Sequence, residues 1–160
     1  MIVRRESGVP LAGRLAYAGA EYAFRFDVAS AADLLDRAGG SGLAAVSIGT
    51  LQIEVGVATR RALFVWGMHP KARWIEAALP QPSWEGCAVV IGPEVEYAPG
   101  TSVPIADFGE WNTVYDPTTG WVRVSADSGP EDELSEVASG VLIGVVKDHL
   151  ASVWLMPVFE

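Results

Sequence analysis

The sequence predicts an α+β fold, predominantly antiparallel β, in which a curled sheet (a partial barrel or a sandwich) carries two or three short helices. Three observations lead there. Val141 to Met156 holds two apolar runs of strand length, rich in Val and Ile and separated by Lys147-Asp148-His149; branched side chains suit a pleated, buried surface. Leu51, Ile53, Val55 and Val57 alternate with Gln52, Glu54, Gly56 and Ala58, and Tyr22, Phe24, Phe26 and Val28 alternate with Ala23, Arg25 and Asp27, which is the period of a half-buried strand. Turn chemistry separates such runs along most of the chain.

The elements follow in order. Leu11 to Tyr17 and Tyr22 to Val28 form a first hairpin around Gly19. Ser30-Ala31-Ala32-Asp33 opens a helix in the manner of a capping box, and Gly39-Gly40 stops it after about two turns. Leu43 to Ile48 and Leu51 to Val57 are strands, and Ala62 to Trp66 returns after a turn at Thr59-Arg60-Arg61. Pro70 suits the first turn of a second short helix running through Leu79, ended by Pro80-Gln81-Pro82. Cys87 to Ile91 is a buried strand, and Val95 and Tyr97 alternate with Glu94 and Glu96 on another. Ala98 to Gly109 is loop. Val114-Tyr115 and Trp121 to Val124 flank Asp116-Pro117-Thr118-Thr119-Gly120, a hairpin turn with Pro and Gly in their usual roles. Asp127 to Ser139 reads as a loop and a third short helix, with Glu131, Asp132 and Glu133 at its positive end. No internal repeat stands out.

The run from Gly140 to Met156 is too short for a membrane span, which needs about 20 apolar residues, and it carries Lys147 and Asp148 at its midpoint. A core hairpin is expected instead. The 160 residues, half of them hydrophobic, fit one domain, 1–160. With one cysteine, Cys87, and no apolar run of signal length after Met1, a cytoplasmic protein is expected. The excess of Arg over Lys, with abundant Ala, Gly and Val, suggests a bacterial source of high GC content.

The net charge of −9 is unevenly spread: nine basic against six acidic residues through Arg73, and two against fourteen from Trp74 onward. An acidic chain is poorly suited to neutralising phosphates, so nucleic acid is not an expected partner. Glu94 and Glu96, Asp107 and Glu110, and the neighbouring Trp111 are the candidate protein-binding residues, with the carboxylates steering encounter and the indole anchoring it. Arg60, Arg61, Lys71 and Arg73 are the candidate anion-binding cluster.

Catalysis and metal binding find little support. His69 and His149 read as surface turn residues, Cys87 as a buried thiol, and no nucleophile or phosphate-loop motif is present. No cofactor, catalytic residue or metal ligand is assigned. Of six tryptophans, Trp66 and Trp154 fall in apolar strands and are expected in the core, whereas Trp84 and Trp111 border loops, where they either stand exposed as contact residues or plug the open ends of a barrel, two readings of equal weight. The leading expectation is a non-enzymatic, acidic protein-binding module, of the kind a bacterial inhibitor or immunity-type protein presents to a basic partner. The alternative is a β-cup that holds a small molecule, as a binder or an enzyme, in an aromatic-lined pocket. A homo-oligomer pairing acidic and basic patches is a third.

Overall fold

The computed structural model of the protein describes residues 1–106 and 111–160. The chain begins with β1 (Val3–Glu6), β2 (Gly13–Ala18), β3 (Ala23–Val28), α1 (Ala31–Ala38), β4 (Leu43–Ile48), β5 (Leu51–Gly56) and β6 (Ala62–Met68). A single 3₁₀ turn, Lys71–Arg73, leads to four short strands, β7 (Ile75–Glu76), β8 (Glu85–Gly86), β9 (Ala88–Ile91) and β10 (Ser102–Pro104). Then come β11 (Asn112–Tyr115), β12 (Val122–Ser125), β13 (Glu133–Ala138), β14 (Val141–Val146), β15 (His149–Leu155) and β16 (Val158–Phe159). Among the described residues these strands form two open seven-stranded sheets, ordered β10-β4-β5-β6-β3-β2-β16 and β7-β11-β12-β15-β14-β13-β8, with β1 and β9 as a separate antiparallel pair.

The two sheets repeat one topology. β2 to β6 lie in the order β2-β3-β6-β5-β4, and β11 to β15 in the corresponding order β11-β12-β15-β14-β13. The correspondence extends to lengths and registers. β4 and β5 are six-residue strands joined by two residues, as are β13 and β14. Val65 pairs with Ile53 as Val153 pairs with Ile143. The flanks match too, but they are exchanged. β16, which follows β15, pairs in parallel with β2, and β7, which follows β6, pairs in parallel with β11. The amide of Glu160 accordingly donates to Tyr17 O at 3.0 Å, and that of Ala77 to Tyr115 O at 3.1 Å. Val65-Trp66-Gly67-Met68 and Val153-Trp154-Leu155-Met156 occupy equivalent places, a sequence echo too short to stand out unaided.

One core lies between the sheets. Leu51, Ile53, Val55 and Val65 of the first meet Val141, Ile143, Val145 and Val153 of the second, each nearly or fully removed from water. Val141, Ile143 and Val145 thus face inward as alternation requires, while Leu142, on the other face, is buried in a second cluster with Trp121 and Trp154. Lys147 and Asp148 make the expected reversal, both with positive φ (48° and 62°). Ser30 caps α1 by accepting from the Asp33 amide at 3.2 Å, and Gly39 ends it with φ 77°.

Four sequence expectations give way, the first being the loop from Ala98 to Gly109, within which Ser102–Pro104 forms β10 beside β4. The chain has one α-helix among its described residues, not two or three. The segment after Pro70 makes only the 3₁₀ turn, because Trp74 turns extended to set its ring 4.8 Å from Tyr17 and 5.8 Å from Phe24, and Ile75 and Glu76 then pair with β11. The acidic run that resembled a helix start is spent on tertiary bonds: Glu131 accepts from Trp154, Asp132 from the Lys147 amide and Glu133 pairs with Arg5. The residues after it form strand β13, with Ser135 and Val137 turned into the core. Glu94 sits on a turn and Glu96 just beyond it, neither in a strand, since Gly92 takes φ 61° and the Val95 amide closes back onto Gly92 O.

Candidate functional site

Trp66 is the main departure from the expected core. It sits in the middle of an apolar strand yet is 43% exposed, while its topological equivalent Trp154 is 1% exposed. Alternation explains the direction of Trp66: Val65 points into the core, so Trp66 and, two residues on, Met68 point out. Met68 is opposite Ala23 in register, next to Tyr22, and both Met68 and Tyr22 are more than half exposed. Tyr22 holds its place with a positive φ of 54°. Below the indole, Glu54 accepts from Trp66 Nε1 at 2.6 Å. Burial pushes the Glu54 carboxyl above its ordinary range, and the indole hydrogen bond opposes that shift. Along the same face Gln52 accepts from the Ser102 hydroxyl, and Arg14 and Arg25 converge on Glu160, with Arg25 also on Asp27. The outer face of the first sheet is therefore a charged ladder running into an aromatic and methionine patch.

The same face of the second sheet is roofed. Residues 77–84 cross it, tied down where the Leu79 amide donates to Asp116 Oδ2 at 3.0 Å. Leu79 packs on the Trp121, Leu142 and Trp154 cluster, and the Trp84 ring meets Trp121 edge-on at 5.6 Å. Under this strap Trp154 Nε1 donates to Glu131 Oε1 at 2.9 Å, as does the Ser152 hydroxyl at 2.6 Å. Arg123 pairs with the same carboxylate at 2.8 Å and lies 5.5 Å over the Trp154 ring. Arg123 and Glu131 are both more than nine-tenths buried, so each depends on the other for its charge. Gly144 is required there: a Cβ would stand 1.9 Å from Ser152 Oγ and 2.7 Å from Glu131 Cγ.

The residues named from sequence are distributed, not gathered. Glu94 accepts from the Ile2 amide at 3.0 Å beside the β1–β9 pair, and Glu96 is exposed two residues on. Trp111 is half-buried in a different place, a cavity of about 400 Å³ shared with His69, Arg73, Trp74, Asn112 and Thr113. Asp107 and Glu110 lie outside the described residues. The four basic residues also part company. Arg60 donates to Gly92 O and Val95 O and lies over the Tyr97 ring, Arg61 pairs with Glu6 at 3.6 Å, and Lys71 sits 4.9 Å from the Tyr115 ring. Arg73 is exposed at the rim of the Trp111 cavity.

His69 is not the surface residue expected of it. Its Nε2 is 2.7 Å from Thr113 Oγ1, its ring packs near Phe24 and Trp74, and burial lowers its pKa to about 4. His149 is exposed in its turn, as expected. Trp74 Nε1, in the same cavity as His69, is buried with no hydrogen-bond partner. Among the described residues no group of three or more His, Cys, Asp or Glu is placed to hold a metal ion, and no helix is long and apolar enough to cross a membrane. Alternation alone assigns Trp66 to one face of β6; what it lacks is any sign that this face stays open while that of β15 is covered. Compared with known proteins, the chain matches no family and no curated sequence.

Proposed function

We propose that this chain is a non-enzymatic binding module that docks a basic protein partner on the outer face of its first sheet. The observation that carries the reading is the exposure of Trp66 and Met68 on that face, at 43% and 54%, with Tyr22, 57% exposed, in the turn that adjoins it. Isolated exposed apolar residues need no explanation, but a Trp and a Met two residues apart on one strand face, with an exposed Tyr in the adjoining turn, form the kind of patch that anchors protein interfaces. The net charge of −9 supplies the long-range attraction for a basic partner. Exposed carboxylates such as Glu96 then serve as steering charges rather than as the anchor, and inhibition of a basic enzyme or toxin is the class of role this arrangement suits. The test is capture on immobilised protein from an extract of the organism that carries it. A partner should bind at low salt and release as salt rises, and Trp66→Ala should weaken its binding by about 2 kcal/mol, roughly 30-fold. Capture that ignores both salt and Trp66→Ala overturns the reading.

A second reading rests on the unpartnered Trp74 Nε1 beside the 400 Å³ cavity. A small molecule with an acceptor aimed at that N–H would satisfy it, and the flanking His69, Trp74 and Trp111 rings supply flat apolar contact. Native mass spectrometry of the purified protein checks it. A bound small molecule retained by the parent and lost in Trp74→Phe supports this reading, and no adduct in either leaves the protein-binding one.

A further inference from the structure

Resting on the protein-binding reading, we propose that the open face is a receptor for a single arginine side chain carried on an extended segment of the partner, held between the Trp66 ring and the Glu54 carboxylate. The molecule contains the finished version of this site. In the second sheet an indole N–H donates to a carboxylate, and Arg123 completes the set by pairing with that carboxylate while lying over the ring. A guanidinium suits both surfaces at once, because its plane stacks on an aromatic face while its edge meets carboxylate oxygens.

The first sheet repeats two of the three parts. Trp66 is the equivalent of Trp154, and its Nε1 donates to Glu54 as that of Trp154 donates to Glu131. Glu54 corresponds in register to Gly144, the residue whose missing side chain leaves room for Glu131. A carboxylate thus sits beneath the tryptophan in both sheets, delivered from different points of the chain. The third part is missing. Among the described residues no Lys or Arg is ion-paired with Glu54, although the residue is half-buried. The strand position that supplies Arg123 does carry an arginine, Arg25: Phe24 pairs with Tyr17 as Val122 pairs with Tyr115, and the arginine comes next in each strand. Arg25 is turned aside, held by Glu160 at 3.2 Å and Asp27 at 3.4 Å. Trp66 is exposed and Glu54 only half-buried, so among the described residues the cation place beside them is unfilled by the chain itself. The strap over Trp154 indicates the kind of segment that fits such a face, since residues 77–84 cross it outside any helix or strand, with Pro80 and Pro82 among them. An arginine flanked by prolines presents its guanidinium from the same kind of segment.

The probe is a capped pentapeptide, Ala-Pro-Arg-Pro-Ala, titrated into isotope-labelled protein while the indole N–H resonances are followed by NMR. The Trp66 resonance, assigned by its loss in Trp66→Phe, should shift and saturate with a Kd of roughly 1 mM, as befits one side chain, while that of Trp154 stays in place. The same peptide with citrulline for arginine keeps the shape and loses the charge, and it should bind roughly fivefold or more weakly. Glu54→Gln, which retains an acceptor for the indole, should weaken the arginine peptide to a similar extent. Equal binding of the two peptides, or an unaffected Glu54→Gln variant, overturns the arginine assignment. So does a shift of the Trp66 resonance in peptide-free Arg25→Gln protein, because Arg25 then fills the site in solution. Capture of the partner separates this failure from that of the underlying reading. If Trp66→Ala abolishes capture and Glu54→Gln does not, the arginine site falls and protein binding stands; if neither variant matters, both fall.

Discussion

His69 shows how one burial sets a pH response. Its imidazole is enclosed by Phe24, Trp74 and Thr113, which favours the neutral form and lowers its pKa to about 4. The unfolded chain has no such environment, so its histidine takes up a proton near pH 6.5. Because the folded value is the lower one, the stabilisation is complete above pH 6.5. It declines as pH falls through that value and is gone below about 4. The total is up to about 3 kcal/mol. His69→Gln keeps a polar partner for Thr113 and removes the titration. Denaturation curves between pH 4 and 7 should therefore be flatter for the variant than for the parent, and parallel curves would show that His69 does not govern this window. The shape of that titration was not legible in the sequence, where Gly67-Met68-His69-Pro70 reads as an exposed bend. What encloses His69 is Trp74, drawn inward five residues later by contacts with Tyr17 and Phe24 on β2 and β3, strands far earlier in the sequence that come close to β6 only in the folded sheet.

At the scale of elements, period and turn chemistry carried most of the information, and they failed where tertiary bonds overrode them. β5 and the β14–β15 hairpin were readable because alternation there coincides with a core on one face. β13 was not, since Glu131, Asp132 and Glu133 look like a helix start until their partners Trp154, Lys147 and Arg5 are known. The candidate face suffered in the same way. Trp66 and Trp154 occupy equivalent places in apolar strands, and the strap of residues 77–84, anchored by Asp116, covers Trp154 and leaves Trp66 open. The turn between β14 and β15 yields a prediction of its own. Lys147 and Asp148 both adopt positive φ, a conformation that Asn-Gly fills at lower cost. The native contacts there use backbone atoms: the Lys147 amide donates to Asp132 and Asp148 O accepts from the Val3 amide. The double substitution Lys147→Asn, Asp148→Gly should retain both bonds and stabilise the protein by roughly 1 kcal/mol, raising Tm by about 2–4 °C. A lower Tm would mean that the lysine or aspartate side chain contributes something the turn geometry does not reveal.

At the scale of the whole molecule, the exchanged flanks decide how the two repeats depend on each other. Each five-stranded unit borrows a parallel edge strand that follows the other in sequence, β16 onto β2 and β7 onto β11. The β1–β9 pair then joins the segment before one unit to the segment before the other, and both units share a single core. A half expressed alone would present an unpaired edge and the apolar inner face of its sheet to water, which costs more than a small fold can offset. The protein should therefore unfold in one cooperative transition despite its internal duplication. For 160 residues the unfolding enthalpy near 60 °C should be about 110 kcal/mol. The calorimetric and van't Hoff values should agree. A chain ending after β8, which contains the first five-stranded unit complete but lacks β9 to β16, and with them its own edge strands β10 and β16 and the whole second unit, should show no cooperative transition at all. Two resolved transitions in the intact protein, or a folded and monomeric fragment, would show that the exchange is an ornament on two self-sufficient units. A single transition lost on truncation makes it the feature that fuses them, and it would place the open Trp66 face on a rigid support, as an anchor for a partner requires.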